Sequence, residues 1–273
     1  MTKPMVRKPV VAGQFYPAGE SELREEIGSF IKKGAVPKEV IACLLPHAGY
    51  TYSGKVTGET VSQIKMKDNF ILLGPNHTGY GPGFSIMTEG SWYTPLGEIK
   101  INSNLAKKIL EHSRYLESDT LAHAHEHSLE VILPFLQYFK NNFEFVPIII
   151  TFDNTSILKE IGEGIARAIQ ELRLADSTVI VCSSDFTHYE PQLQAEKKDK
   201  TAISAILALN EDKLTAYVQS LNISMCGYAP SVIMLAAAKL LGAKTASLVR
   251  YQTSAEITGD EDSVVGYAGI LVN

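Results

Sequence analysis

No stretch of this chain stays apolar long enough to cross a bilayer. Its longest runs, Val146 to Phe152 and Val232 to Ala238, fall far short of the ~18–20 residues a spanning helix needs, so no membrane role is expected. Lys3, Arg7 and Lys8 precede Val10-Val11-Ala12-Gly13-Gln14, a segment too short and too polar for a signal-peptide core, and a cytoplasmic location is expected. Basic charge is scarce too. The chain has 25 Lys and Arg against 30 Asp and Glu, a net charge of −5, which offers no general attraction for phosphate backbones and argues against a nucleic-acid partner. Only three cysteines occur, Cys43, Cys182 and Cys226, with no CxxC pair, which excludes a disulfide framework or a zinc knuckle. Gly79, Gly81 and Gly83 match neither GxGxxG nor GxxxxGKS/T, so no nucleotide cofactor is expected. Ser183-Ser184-Asp185 and His188 lack the GxSxG elbow of a serine hydrolase.

What the chain does contain is a succession of short apolar runs, at about 40–45, 70–73, 145–151, 178–182, 245–251 and 264–272. Helical spacing fills most of the gaps between them. Leu23, Ile27, Phe30 and Ile31 form one apolar face, Leu105 and Ile109 a second, and Leu129, Ile132, Leu133 and Leu136 a third. Ser156 to Leu174 reads as an amphipathic helix capped by Ser156, and Tyr228 to Leu241 as another stopped by Gly242. Near-continuous apolar strands are those buried on both faces. The fold class is therefore α/β, with a central, largely parallel or mixed sheet flanked by helices on both faces. No linker, repeat or low-complexity tract divides the chain, and residues 1–273 read as a single domain.

In open α/β sheets ligands gather beyond the carboxyl ends of the strands, and there the polar residues are distinctive. Val40 to Leu45 runs into Pro46-His47-Ala48-Gly49-Tyr50, and Phe70 to Leu73 into Gly74-Pro75-Asn76-His77. Thr178 to Cys182 leads to Ser183-Ser184-Asp185-Phe186-Thr187-His188-Tyr189. Three strands thus deliver His47, His77, Asp185 and His188 to carboxyl ends that form one shared site if the strands are neighbours, an order the sequence leaves open. Imidazoles with neighbouring carboxylates suit a catalytic metal with open positions. The competing reading is that each histidine only closes a strand end or binds a loop carbonyl. The densest histidine patch is Leu121-Ala122-His123-Ala124-His125-Glu126-His127-Ser128-Leu129-Glu130. His123 and His125 are expected in a solvated loop. Cys43 and Cys182 lie in apolar runs and are expected to pack as small hydrophobes, whereas Cys226 precedes a helical pattern and stays open as a functional candidate.

Together these segments resemble the Memo-like family, named after a mediator of ErbB2-driven cell motility. The resemblance rests on Arg7 to Pro17, Pro46 to Tyr50, Gly74 to His77, Glu126 to Glu130, Ser184 to Tyr189 and Ser263 to Ala268. It implies a fold similar to class III extradiol ring-cleaving dioxygenases, whose non-haem iron is held by two histidines and a carboxylate. Carried over by motif, the metal ligands here are His47, His77 and Cys226, with Asp185 and His188 beside them and His127 near the same pocket. A thiolate in place of a carboxylate shifts preference towards softer metals and is itself oxidisable. Iron is the first expectation, with copper and zinc as alternatives.

Three functions follow as expectations. The first is a non-haem metal-dependent oxidoreductase, dioxygenase-like, acting on a small molecule, with His188 as general acid/base next to Asp185 and His127 orienting substrate. The second is a zinc-dependent hydrolase built on the same ligands. The third is a non-catalytic module binding a ligand or peptide, with Tyr50, Tyr52, Tyr80, Trp92 and Tyr93 as an aromatic rim. The resemblance also suggests a pathway shared with a radical-SAM partner.

Overall fold

The computed structural model describes residues 5–151 and 154–273. Lys3 and Phe152, named above, lie outside them. The chain begins with β1 (Val6–Arg7), α1 (Glu20–Phe30), β2 (Ala42–Leu45), α2 (Tyr50–Val61) and β3 (Asn69–Pro75). Short strands β4 (Phe84–Ile86), β5 (Ser91–Thr94) and β6 (Gly97–Ile101) lead to α3 (Ser103–Glu111), β7 (Glu117–Ser118) and α4 (Leu121–Ala124). Next come α5 (Leu133–Phe139), β8 (Glu144–Ile150), α6 (Thr155–Glu171), β9 (Thr178–Ser183) and β10 (His188–Glu190). The chain closes with α7 (Gln192–Leu207), α8 (Glu211–Ser220), α9 (Tyr228–Leu240), β11 (Ala246–Thr253), α10 (Ala255–Thr258) and β12 (Val264–Val272).

The strands form one mixed sheet in the order β1-β5-β6-β8-β3-β9-β2-β12-β10, with β11 also on β12 and β4 on β8. Its heart, β6-β8-β3-β9-β2, is parallel. Antiparallel pairs β5–β6, β2–β12, β11–β12 and β10–β12 make the margins. The parallel strands are the continuous apolar runs: Phe70 to Leu73 and Val179 to Cys182 are fully buried. Alternate residues of β9 show both faces covered, since Cys182 Sγ meets Ser231 Oγ of α9 while Ser183 Oγ reaches the Ser128 carbonyl. On the α9 side, α6 and α8 back the helix; α2 packs on β2, β11 and β12 with α1 and α5 against it.

Several boundaries differ from the sequence reading. Asn154, not Ser156, caps α6: its Oδ1 accepts the Ser156 N–H at 2.8 Å. The apolar face from Leu129 to Leu136 is not one helix but a 3-10 turn, Glu130–Ile132, followed by α5. The expected aromatic rim is split. Tyr50 opens α2 and is buried, its hydroxyl on the Val131 carbonyl, and Trp92 is fully buried in β5; Tyr52, Tyr80 and Tyr93 are exposed. No helix among the described residues is long and apolar enough to cross a membrane.

Candidate metal centre

The strand order resolves what spacing left open. β9 lies between β3 and β2, and the registers Leu45↔Ser183 and Leu73↔Cys182 align the carboxyl ends of all three. His47, two residues beyond β2, and His77, two beyond β3, therefore flank the Ser183–Asp185 corner. An Asx turn shapes the His77 loop: Asn76 Oδ1 accepts the N–H groups of Thr78 and Gly79. Cys226 arrives from the segment ahead of α9. A Cβ at Gly227 would stand 2.3 Å from the Ser183 carbonyl oxygen, so only glycine lets this segment lie against β9.

Both histidines have their tautomer set by their surroundings. Ser183 Oγ donates its proton to the Ser128 carbonyl at 2.6 Å, so at the His47 contact of 2.7 Å it accepts from Nδ1–H. His77 Nδ1 donates to Glu126 Oε1 at 2.9 Å. Each ring is left with Nε2 as its bare donor atom, the arrangement of a metal-binding histidine held by an outer partner. His47 Nε2 lies 3.3 Å from Cys226 Sγ, and ligand atoms of His47, His77 and Cys226 all lie within 4.8 Å of one another. A first-row cation at ~2.1 Å from nitrogen and ~2.3 Å from sulfur sets its ligands roughly 3–4 Å apart, so this donor set fits one with a small inward adjustment.

A second group, His77, Glu126 and His127, also has ligand atoms within 4.8 Å. Its carboxylate is already committed. Glu126 is fully buried and accepts the His77 ring and backbone N–H groups and the Ser128 N–H. Burial pushes Glu126 up, but these hydrogen bonds and the charge of His77 outweigh it and hold the carboxyl at about 2. Glu126 thus holds the His77 ring and main chain through carboxylate oxygens that are already occupied by hydrogen bonds.

Burial, reinforced by His77, His127 and His188, keeps His47 far below the ordinary histidine range and hence neutral, as a ligand must be. His77 is also desolvated, yet Glu126 and Asp185 raise it. Burial, with the Asp185 charge, lifts the Cys226 thiol well above its usual range, so metal binding has to displace its proton. The His127 ring stacks 4.8 Å from His77, lies 5.6 Å from His47 and meets the Phe15 ring at 5.0 Å; burial lowers it.

Asp185 and His188 stand close enough to interact through their charges, but no hydrogen bond or ion pair joins them among the described residues. Asp185 Oδ1 instead accepts the His47 N–H at 2.9 Å, and its Oδ2 is 4.0 Å from His47 Nε2. Burial raises Asp185 to about 6 against the lowering pull of the His47 N–H, His188 and His77. His188 is held by Ser224, with ring Nδ1–H donating to the Ser224 carbonyl at 2.9 Å.

Ser183, Ser128, Glu126 and Ser224 were not read as site residues, because a serine or glutamate that orients a neighbour carries no spacing signature. A deeper support was equally hidden. Arg7, buried in β1, donates to the carbonyls of His123 and Glu126, pairs with Glu130 and lies 4.2 Å over the Trp92 ring. Glu130 in turn accepts the N–H groups of Val10 and Val11 and the Tyr16 hydroxyl. The Arg7–Tyr16 and Glu126–Glu130 motifs are thus two halves of one clamp around the loop that carries Glu126 and His127. The expectation of a solvated loop holds for exposed His125 but fails for His123, which is fully buried with Nε2 on Ser85 Oγ.

A family profile described as Memo-like protein matches residues 7–271. The chain belongs to the Memo-like family. It is 40% identical over 281 residues to a MEMO1 family protein of Methanopyrus kandleri, covering 98% of this chain and 99% of that one. A MEMO1 family protein of Aquifex aeolicus is 42% identical over 270 residues, covering 97% and 98%. One from Methanothermobacter thermautotrophicus is 38% identical over 277 residues, covering 97% and 99%. The clamp and the histidine loops of this Memo-like protein all fall within the matched span.

Proposed function

We propose that this Memo-like protein is a non-haem metal-dependent oxidoreductase acting on a small molecule. The observation that carries the reading is the convergence of ligand atoms of His47, His77 and Cys226, with both Nδ1–H groups committed to outer partners. Three protein ligands leave open positions, and a divalent transition metal held there, iron before copper or zinc, would supply the redox chemistry between a reducing substrate and dioxygen. His188, with Nδ1–H held by Ser224, offers Nε2 as the base that takes a substrate proton. His127, stacked on His77 and edged by Phe15, orients the substrate. Asp185 holds the His47 main chain and influences the charge of the pocket.

The interaction-module reading is weakened by the burial of Tyr50 and Trp92, two of its five rim residues. The test is metal content of anaerobically purified protein beside His47→Ala, His77→Ala and Cys226→Ala. About one iron per chain, lost in all three variants, followed by oxygen uptake with small dihydroxylated aromatics, is the expected result. Metal retained in all three variants overturns the ligand set. Zinc in place of iron, with hydrolysis and no oxygen uptake, moves the conclusion to the hydrolase.

A further inference from the structure

The segment Ser224–Gly227 touches the metal centre at one end and His188 at the other. Ser224 grips His188 twice: its Oγ accepts the His188 backbone N–H at 2.8 Å, and its carbonyl accepts the ring Nδ1–H at 2.9 Å. Two residues on, Cys226 Sγ accepts the Asp185 N–H at 3.3 Å, and the Gly227 N–H donates to Ser184 Oγ at 3.1 Å. The loops 184–188 and 224–227 are therefore laced at both ends.

Strand pairing does not hold His188 by itself. The β10–β12 register shifts between His188 and Glu190, and Tyr189 adopts φ +58° with a largely exposed side chain. Among the described residues, Ser224 is the hydrogen-bond partner of the His188 ring. Ser224 is exposed, but Ile223 and Met225 on either side of it are buried in the core. That alternation makes 223–226 a short, stiff link, anchored at two points, with His188 on one arm and the Cys226 sulfur on the other.

We propose that Ser224 is a positioning residue that couples occupancy of Cys226 to the placement and tautomer of His188. The coupling rests on the metal-dependent reading above; the tautomer part does not. A carbonyl only accepts, so His188 must carry its proton on Nδ1, which leaves Nε2 as the basic atom. A ring free in water exchanges its proton between both nitrogens. The Ser224 carbonyl suppresses that exchange while Ser224 Oγ keeps the His188 main chain within reach of it, and any displacement of Cys226 on metal binding would pass along the 223–226 link to the residue that holds the base.

The test is 15N NMR of the full chain labelled at its histidine rings, comparing wild type, Ser224→Ala and Ser224→Thr, first metal-free and then with one equivalent of zinc. His188→Gln identifies the signals, and the ring of His112, paired with Glu171 on the surface, reports that the fold is unchanged. In metal-free wild type, His188 gives two widely separated ring signals with Nδ1 protonated. Ser224→Ala keeps the carbonyl but loses the Oγ that holds the His188 main chain against it, so the ring is released and the signals draw together; Ser224→Thr, which restores the hydroxyl, restores the separation. Zinc then shifts the His188 signals in wild type but leaves them in place in Ser224→Ala, which still takes up zinc. Identical His188 signals in wild type and Ser224→Ala overturn the positioning role. An unchanged zinc response in Ser224→Ala overturns the coupling. Absence of zinc uptake by wild type removes the metal reading and the coupling together, while the metal-free comparison still decides the tautomer.

Discussion

Ser183 Oγ stands between the His47 ring and the Ser128 carbonyl, 2.7 Å from one and 2.6 Å from the other. Its single proton is directed to the carbonyl, so His47 has to donate from Nδ1. Ser183→Ala leaves that ring free to turn or to change tautomer. Metal affinity is expected to fall ~10–100-fold, the usual cost of losing an outer partner. Competition against a chromogenic zinc chelator reads this directly, and an affinity within twofold of wild type would show that Ser183 does not orient the ligand.

Arg7→Met should destabilise the fold by ~3–5 kcal/mol, because it leaves the Glu130 carboxylate buried without its cation. The double variant Arg7→Met/Glu130→Leu should recover part of that loss. Urea denaturation of wild type, Arg7→Met, Glu130→Leu and the double variant closes the cycle; equal losses in Arg7→Met and the double variant would mean that the backbone contacts of Arg7, not the ion pair, carry its effect.

Acid stability is expected to report on His123. Burial is the main cause that holds its pKa down at about 3, against an ordinary value of 6.5. Above 6.5 folded and unfolded chains are both neutral at this site, and its full stability is present. As pH falls from 6.5 towards 3, the unfolded chain takes up a proton that the folded chain refuses, and stability drops by up to ~1.4 kcal/mol per pH unit. His123→Gln keeps a donor for Ser85 Oγ and removes the titration. The urea midpoint of this variant should fall less steeply between pH 6 and pH 4; parallel curves for variant and wild type would place the acid sensitivity elsewhere.

Gly227→Ala drives a methyl group into the Ser183 carbonyl. Overpacking of this kind costs ~1–3 kcal/mol, and the displacement falls on Cys226 next door. Reduced metal retention together with lower thermal stability is the expected pair of results. Full metal content would mean that the segment has another way to approach β9.

The sheet was legible where the chain is apolar on both faces. Phe70 to Leu73 and Thr178 to Cys182 need no partner to be recognised, and β12 follows its apolar run from Val264 to Val272. Helix α2 was not legible, because Gly54 and Gly58 weaken its helical signal. They are there for packing: a Cβ at either would collide with Phe30 of α1. At the site, His47 and His77 could be read from their strand ends, but their adjacency depends on β9 entering between β2 and β3. Cys226 gained its role only through family resemblance. That Asp185 turns back to the His47 main chain could not be read, because a contact between residues far apart in the sequence carries no spacing signal.

The insertion of β9 between β2 and β3 also dictates when the site can exist. During synthesis the two histidine strands emerge early, but the strand that joins them comes roughly a hundred residues later, and Cys226 later again. A nascent chain that stops before β9 has two apolar edges with nothing between them and no assembled set of metal donors. Metal therefore cannot template the early folding of this chain; it can bind as a set only after long-range pairing is complete, and an interrupted chain exposes strand edges that invite aggregation.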